Sequence, residues 1–323
     1  MKIRNMLLAV LAVSMAGMSA AALSQTFPER ALRVVVPYPP GGTTDVLVRL
    51  LQKPVADAAG QSVVVDNRPG GASVIGTSHV AQAAPDGYTV LGGDLSVLVN
   101  PSLMKNLPYD TVRDFRGVTM LARAPLVLLV HPSVPANSLD ELIALAKARP
   151  GTLNFASGGY GTSTHMAGEM FRRAAGIDVV HVPYQGVAPA MSALLGGQVQ
   201  MYFGGTTTGL PHIQSGKLRA LAVTGEAPSP LLPGVPTFVS RGIQGVNADT
   251  YWGVYAPART PDAVIEKLNA YYTGALRDPA VQQRTRDLGL TLIGNSAAEH
   301  TAQMKKMIGD WGAFVKEADI RLE

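Results

Sequence analysis

Short runs of aliphatic and β-branched residues alternate with amphipathic stretches along almost the whole chain. Leu32 to Val36, Ser62 to Val65 and Tyr88 to Leu91 are compact apolar runs bounded by turn residues, and they predict strands. Between the first two, Val46, Leu47, Leu50, Leu51 and Val55 recur at helical spacing and predict a helix over 44–59. Pro54 falls inside it and predicts a bend or an early end, because proline lacks the N–H that the helix needs. Leu126 to Val130, Leu153 to Ala156, Val179 to Val182, Val199 to Phe203, Leu218 to Val223 and Tyr251 to Tyr255 read as further strands. Ser138 followed by Glu141 reads as a capping box opening a helix. Ala188 to Leu195, Pro261 to Leu276 and Ala280 to Leu288 read as helices too. Near the end, Met304, Met307, Ile308, Trp311, Phe314, Val315 and Ala318 make one apolar stripe, which predicts a helix packed on a core.

Strands alternating with helices predict an α/β fold with parallel sheets and helices on both faces. Ligands in such sheets sit beyond the carboxyl ends of the strands. Two turns occupy such ends. Pro37-Tyr38-Pro39-Pro40-Gly41-Gly42-Thr43-Thr44-Asp45 follows the first strand and opens a helix. Ser157-Gly158-Gly159-Tyr160-Gly161-Thr162-Ser163-Thr164-His165 does the same further on. A helix N-terminus carries about half a positive charge and several unpaired N–H groups, so each turn is suited to seating a small anion. If the turns belong to different domains, they face each other across a cleft.

Composition narrows this picture. Lys2 and Arg4, the apolar stretch from Met6 to Val13 and Ala20-Ala21-Ala22 have the layout of a signal peptide over residues 1–22. The apolar stretch is shorter than the roughly 18–20 residues of a membrane span. The expectation is an exported, periplasmic protein with no membrane insertion after cleavage. Removing Lys2 and Arg4 leaves 25 basic against 23 acidic residues, and no basic stripe interleaved with aromatics suggests nucleic acid. The absence of cysteine excludes disulfides, thiolate metal sites and cysteine nucleophiles.

Catalytic signatures are missing as well. Ser163 beside His165 is the one nucleophile near a histidine, but there is no G-x-S-x-G elbow. No H-E-x-x-H, phosphate-binding loop or dinucleotide fingerprint occurs, so no metal or cofactor is expected and a hydrolase is the least favoured reading.

The chain resembles the Bug-type extracytoplasmic solute receptors, the binding subunits of tripartite tricarboxylate transporters. The resemblance rests on the first glycine-rich turn, on Val65-Asp66-Asn67-Arg68-Pro69-Gly70, Ala84-Pro85-Asp86-Gly87-Tyr88-Thr89 and Asn100-Pro101-Ser102-Leu103. It continues through Leu107-Pro108-Tyr109-Asp110, His181-Val182-Pro183-Tyr184-Gln185-Gly186, Leu195-Gly196-Gly197-Gln198-Val199 and Leu231-Leu232-Pro233-Gly234-Val235-Pro236-Thr237. It implies a periplasmic-binding-protein type II fold with two lobes around a ligand cleft. Lobe one would comprise residues 26–124 and 251–323, with the C-terminal helix packed on it, and lobe two residues 125–250. The implied function is capture of a small carboxylate by hinge closure and its delivery, as a monomer, to the permease subunits of a membrane transporter. A receptor that docks instead on a signalling partner is the alternative.

The implied binding residues are Tyr38, Gly42, Thr43 and Thr44 in the first turn, and Ser157, Gly161, Thr162 and Ser163 in the second. Asp45 is a weaker candidate because it would repel a bound carboxylate, and Thr and Asp also serve as plain helix caps. Tyr184 could close the cleft through its hydroxyl, while His165 suits a structural role. The chain departs from many relatives at Gly204-Gly205-Thr206, where they carry an acid, and at Asp94 to Ser96, where they carry small neutral residues. Gly204, Asp94 and Ser96 therefore join the candidate site, with Asp94 either accepting from a ligand donor or capping a local turn.

Overall fold

The computed structural model describes residues 27–320 apart from 226 and 247. The expected signal peptide lies outside the described residues. The chain builds two sheets. The larger has six strands in the order β11-β4-β10-β3-β1-β2, namely Thr291–Leu292, Phe115–Ala124, Thr250–Pro257, Thr89–Gly93, Leu32–Val36 and Val63–Asn67. The smaller has five in the order β7-β6-β8-β5-β9, namely Val180–Pro183, Asn154–Ser157, Met201–Gly205, Leu126–Val130 and Arg219–Val223.

Parallel pairing holds for only part of each sheet. β2, β1 and β3 are parallel, as are β7, β6 and β8. β10 runs antiparallel to β3 and β4, and β5 antiparallel to β8 and β9. The expectation of parallel sheets is corrected here, and the reason is connectivity. A parallel neighbour needs a crossover within its own sheet. β5 and β10 instead arrive from the other sheet, β5 directly from β4 through Pro125, so that constraint does not act on them.

The apolar run of β1 is continuous because both of its faces are covered. Val34 and Val36 pack with Leu47, Leu51 and Trp252, whereas Val35 packs on the other face with Leu91, Leu95 and Tyr255. Helix α1 (Thr43–Ala59) presents Leu47, Val48, Leu51 and Val55 to this core. It runs unbroken past the half-buried Pro54 and ends at Gly60, in the left-handed conformation with φ of 65°. The early end allowed for in the sequence does not occur.

Several elements escaped the hydrophobic pattern: α2 (Val74–Ala81), α3 (Ser96–Leu103), α4 (Thr111–Asp114), the helix Thr206–Gln214, the 3-10 turn Val239–Arg241 and strands β4 and β11. Helix α5 (Leu139–Ala148) is capped by Ser138, which takes the Glu141 N–H at 3.2 Å. Glu141 reaches past Ser138 to the Asn137 N–H at 2.7 Å, so the predicted box is only half formed. In the smaller sheet α6 (Ser163–Ala175) follows β6, α7 (Val187–Leu195) follows β7, and α8 (Thr206–Gln214) follows β8. After β10 come α9 (Asp262–Ala275), α10 (Pro279–Asp287) and the C-terminal α11 (Ala297–Glu317). The last packs on β4 and α3 of the larger sheet, burying Met304, Trp311 and Val315.

Candidate ligand-binding cleft

The first glycine-rich turn leaves β1 at Val36 and becomes α1 at Thr43. Asp45, in the first helical turn, folds back under it and accepts the Gly41 N–H at 3.0 Å. The same carboxylate accepts from Arg49 Nε and from Asn67 Nδ2, each at 3.0 Å. Burial pushes its pKa up, but the bonds from Arg49, Gly41 and Asn67 outweigh burial and hold it below the usual carboxylate value. Asp45 therefore holds the loop from behind and is turned away from the cleft.

The second turn is held without charge. Ser157 Oγ lies 2.6 Å from His181 Nε2, and Thr162 Oγ1 donates to the Gly159 carbonyl at 2.6 Å. Thr164 Oγ1 accepts the Gly158 N–H at 2.9 Å. The Gly161 N–H donates to His165 Nδ1 at 3.2 Å, and the rings of His165 and His181 stack with centroids 4.2 Å apart. Burial lowers the pKa of His165 to about 3 and of His181 to about 4, so both imidazoles are neutral near neutral pH. Among the described residues Ser163 makes no hydrogen bond to either histidine; the serine that pairs with an imidazole is Ser157.

These turns face each other across one cavity. Four helix N-termini border it: α1 through Gly42 and Thr43, α6 through Thr162 and Ser163, α7 through Gly186 and Val187, and α8 through Gly205. The first N–H groups of each helix have no intrahelical partner, and the helix dipoles bring partial positive charge to the same space. The Thr43 and Ser163 hydroxyls have no hydrogen-bond partner among the described residues. The Tyr202 hydroxyl is fully buried beside the Thr164 side chain, without a hydrogen bond of good geometry. Burial raises the Tyr202 pKa, so this hydroxyl keeps its proton and can donate. No lysine or arginine lines the cavity. Asp94 is its one charged residue, and burial raises its pKa against the hydrogen bonds from Ser96 and Tyr38.

Of the predicted residues, Tyr38, Gly42, Thr43, Thr44, Asp94, Thr162 and Ser163 form the wall of this cavity. Ser96 and Ser157 are completely buried behind it, their hydroxyls engaged by Asp94 and His181 respectively. Gly204 packs against Leu129 and Tyr202 on β8 and leaves the wall to its neighbour Gly205. Tyr184 lines an adjoining groove with Pro39 and Ser73. Gly161 touches the larger sheet's side: a Cβ there would stand 2.2 Å from Asn100 Oδ1. The two sides are thus in direct contact, and Thr206 Oγ1 also donates to the Leu288 carbonyl at 2.9 Å.

Sequence reading passed over Thr164, Val187, Tyr202, Thr250 and Trp252. Val187 had a readable signal, since it opens a helix after a strand as Thr43 and Ser163 do. Trp252 had none, because its Nε1 reaches the cleft by donating to Thr44 Oγ1 at 3.2 Å across 208 positions of sequence.

Residues 47–320 match the family model described as the tripartite tricarboxylate transporter family receptor. The chain is 37% identical to protein BugT of Bordetella pertussis over 321 residues, covering 98% of each chain. Among solved structures it is similar to periplasmic binding protein BugD, with a TM-score of 0.88, 34% identity, and coverage of 92% of this chain and 100% of that one. It is also similar to MatC from Rhodopseudomonas palustris with bound malate, with a TM-score of 0.86, 30% identity, and coverage of 90% and 100%.

Proposed function

The chain belongs to the receptor family of tripartite tricarboxylate transporters, and from that premise we propose that it is a periplasmic receptor that closes on a small carboxylate. The observation that carries this reading is the convergence of four helix N-termini on one cavity that has no lysine or arginine in its wall. A carboxylate set there receives backbone N–H groups and the Thr43, Ser163 and Tyr202 hydroxyls, and helix dipoles supply the positive potential. A zinc-like or guanidinium clamp is unnecessary. The malate held by MatC fits the same chemistry in a relative.

In this reading the described residues up to 124 and from 251 onward make up the first lobe, and those between 125 and 250 the second. The two crossings lie side by side. Thr224 Oγ1 accepts the Leu126 N–H at 2.8 Å and donates to the Ala248 carbonyl at 3.4 Å, tying the start of β5 to the segment that leads into β10. Rotation about this pair parts or joins the two turns, and contacts from both sides favour the closed state when ligand is present. The closed receptor then passes its carboxylate to the permease subunits of the transporter.

A thermal-shift screen of the mature protein tests the reading, since a ligand that binds only the folded state raises the melting temperature. The panel comprises dicarboxylates, tricarboxylates, aromatic acids and amino acids, each with its amide. A rise for an acid and not for its amide is expected. Equal rises for acid and amide, or turnover of the acid, would overturn it.

A further inference from the structure

The cavity has one feature that an anion receptor does not need. Asp94 follows the end of β3, stands 8% exposed in the cavity wall and has no basic residue beside it there. One of its oxygens is saturated. Oδ1 accepts the Ser96 N–H at 3.0 Å, the Ser96 hydroxyl at 2.8 Å and the Tyr38 hydroxyl at 2.8 Å. Ser73 Oγ stands 2.9 Å from Ser96 Oγ, and Asn100 Nδ2 donates to Ser73 Oγ at 3.3 Å, so the network is anchored away from the cleft. Oδ2 has no partner among the other described residues.

A turn cap explains Oδ1 and leaves Oδ2 unexplained. Unlike the fully enclosed polar atoms of the fold, Oδ2 opens on the cavity, where a carboxylate oxygen is a strong acceptor for any donor brought into the site. Apart from the backbone of Asp94 itself, no other described residue donates to Oδ2, which leaves it free to take a donor from the ligand. The cavity is therefore bipolar, with helix N-termini and hydroxyls forming its donor pole and Asp94 Oδ2 its acceptor pole.

Resting on the carboxylate reading above, we propose that Asp94 determines specificity by requiring a second group on the ligand, a hydroxyl or an ammonium that donates to Oδ2. A carboxylate of the same skeleton without that donor leaves Oδ2 unpaired, and one with a second carboxylate at that point meets a like charge. Sites built to pair a polar group reject analogues lacking it far more strongly than apolar pockets reject a missing methylene.

The test compares matched probes by titration calorimetry at neutral pH: propanoate, lactate and alanine in one series, and succinate, malate and aspartate in the other. In each series the expected result is at least tenfold tighter binding of the hydroxy or amino acid than of the unsubstituted acid. Asp94→Asn should reduce that ratio at least tenfold, most strongly for the amino acid, whose ammonium loses its counter-charge. A purely structural Asp94 would weaken every member equally and leave the ratio alone. The wild-type comparison needs no variant, so it stands even if the substitution disturbs folding. Equal affinity for substituted and unsubstituted acids, or an unchanged ratio in Asp94→Asn, overturns this inference and leaves the receptor reading intact. Binding of the amides in place of the acids overturns both.

Discussion

The two glycine-rich turns present the same thing to the cleft, a helix N-terminus with one hydroxyl free, yet they are held by opposite means. In the first turn a carboxylate, Asp45, gathers the Gly41 N–H, Arg49 and Asn67. In the second a neutral set of Ser157, Thr162, Thr164, His165 and His181 does the work with no ion pair. On the proposed reading, a carboxylate directly behind a turn that is to receive an anion is tolerable because Arg49 neutralises it. The second turn avoids the question by staying uncharged. The difference teaches that the donor geometry is what matters, and that it can be supported by charge or by burial.

The comparison can be broken first at its glycines. Gly41 and Gly161 both lie at positive φ, 93° and 72°, where a side chain is strained by about 1–2 kcal/mol. A Cβ at Gly41 meets nothing within 4 Å, whereas one at Gly161 meets Asn100 Oδ1 at 2.2 Å. Gly161→Ala should thus add a clash that exists only while the two sides are joined. We expect roughly a hundredfold loss of affinity, about 2.7 kcal/mol, against about tenfold or less for Gly41→Ala. Affinity measured for the two variants alongside their ligand-free melting temperatures checks this. Similar losses in both would mean that Gly161 does not meter closure.

Acid should separate the turns next. His165 and His181 have folded pKa values of about 3 and about 4, below the 6.5 of a free imidazole. Their contribution is fully present above pH 6.5 and is lost as pH falls toward the folded values. At pH 5 each histidine has lost about 2 kcal/mol of its contribution. Around these rings stand Arg172, whose charge opposes protonation further, and the edge of Tyr160. Asp45, its pKa held below the carboxylate value of 3.8, keeps its contribution until pH drops below about 4. His300, buried against Gly117 and Gly253 with a pKa of about 3, lowers global stability over the same range, so a melting curve alone is not diagnostic. Hydrogen exchange, corrected for intrinsic rates, should show residues 158–165 losing protection between pH 7 and 5 while residues 38–45 keep it. Parallel loss in both turns would refute the division.

How far the sequence disclosed this arrangement depends on the range of the physics involved. Local signals read well. The run Leu32 to Val36 gave β1 with its observed limits, and the strand–glycine–threonine order marked both turns. Strand direction was not legible, because nothing in the composition of β5 or β10 records which sheet the chain has just left. Side-chain destination was legible only in part. Ser157 has the right type and place for the cleft, but His181, 24 positions on, takes its hydroxyl inward. Tyr202 and Trp252 look like ordinary apolar strand residues until the sheets are assembled. The real capping box, at Ser296 and Glu299, was overlooked, while the one read at Ser138 closes only half.

The smallest expected effects give the finest test, because they distinguish hydroxyls that the sequence makes equivalent. Thr43 and Thr44 are neighbours of one type, and both line the cavity. Thr44 Oγ1 already serves Trp252 Nε1, whereas the Thr43 hydroxyl has no partner among the described residues. Truncating Thr44 should therefore leave a buried indole N–H unsatisfied and lower stability by about 1–3 kcal/mol. Thr43→Ala removes nothing the folded protein uses, so its melting temperature should hardly move. Its cost falls on binding, about 1 kcal/mol for one lost hydrogen bond. Ser163 stands in the same position on the second turn, and Ser163→Ala should match Thr43→Ala in both respects. If the two hydroxyls bind separate ligand oxygens, the double variant loses the sum of the two; if they share one carboxylate, it shows coupling. A double variant with unchanged affinity would take both turns out of the site, and the likeness between them would then be one of scaffold alone.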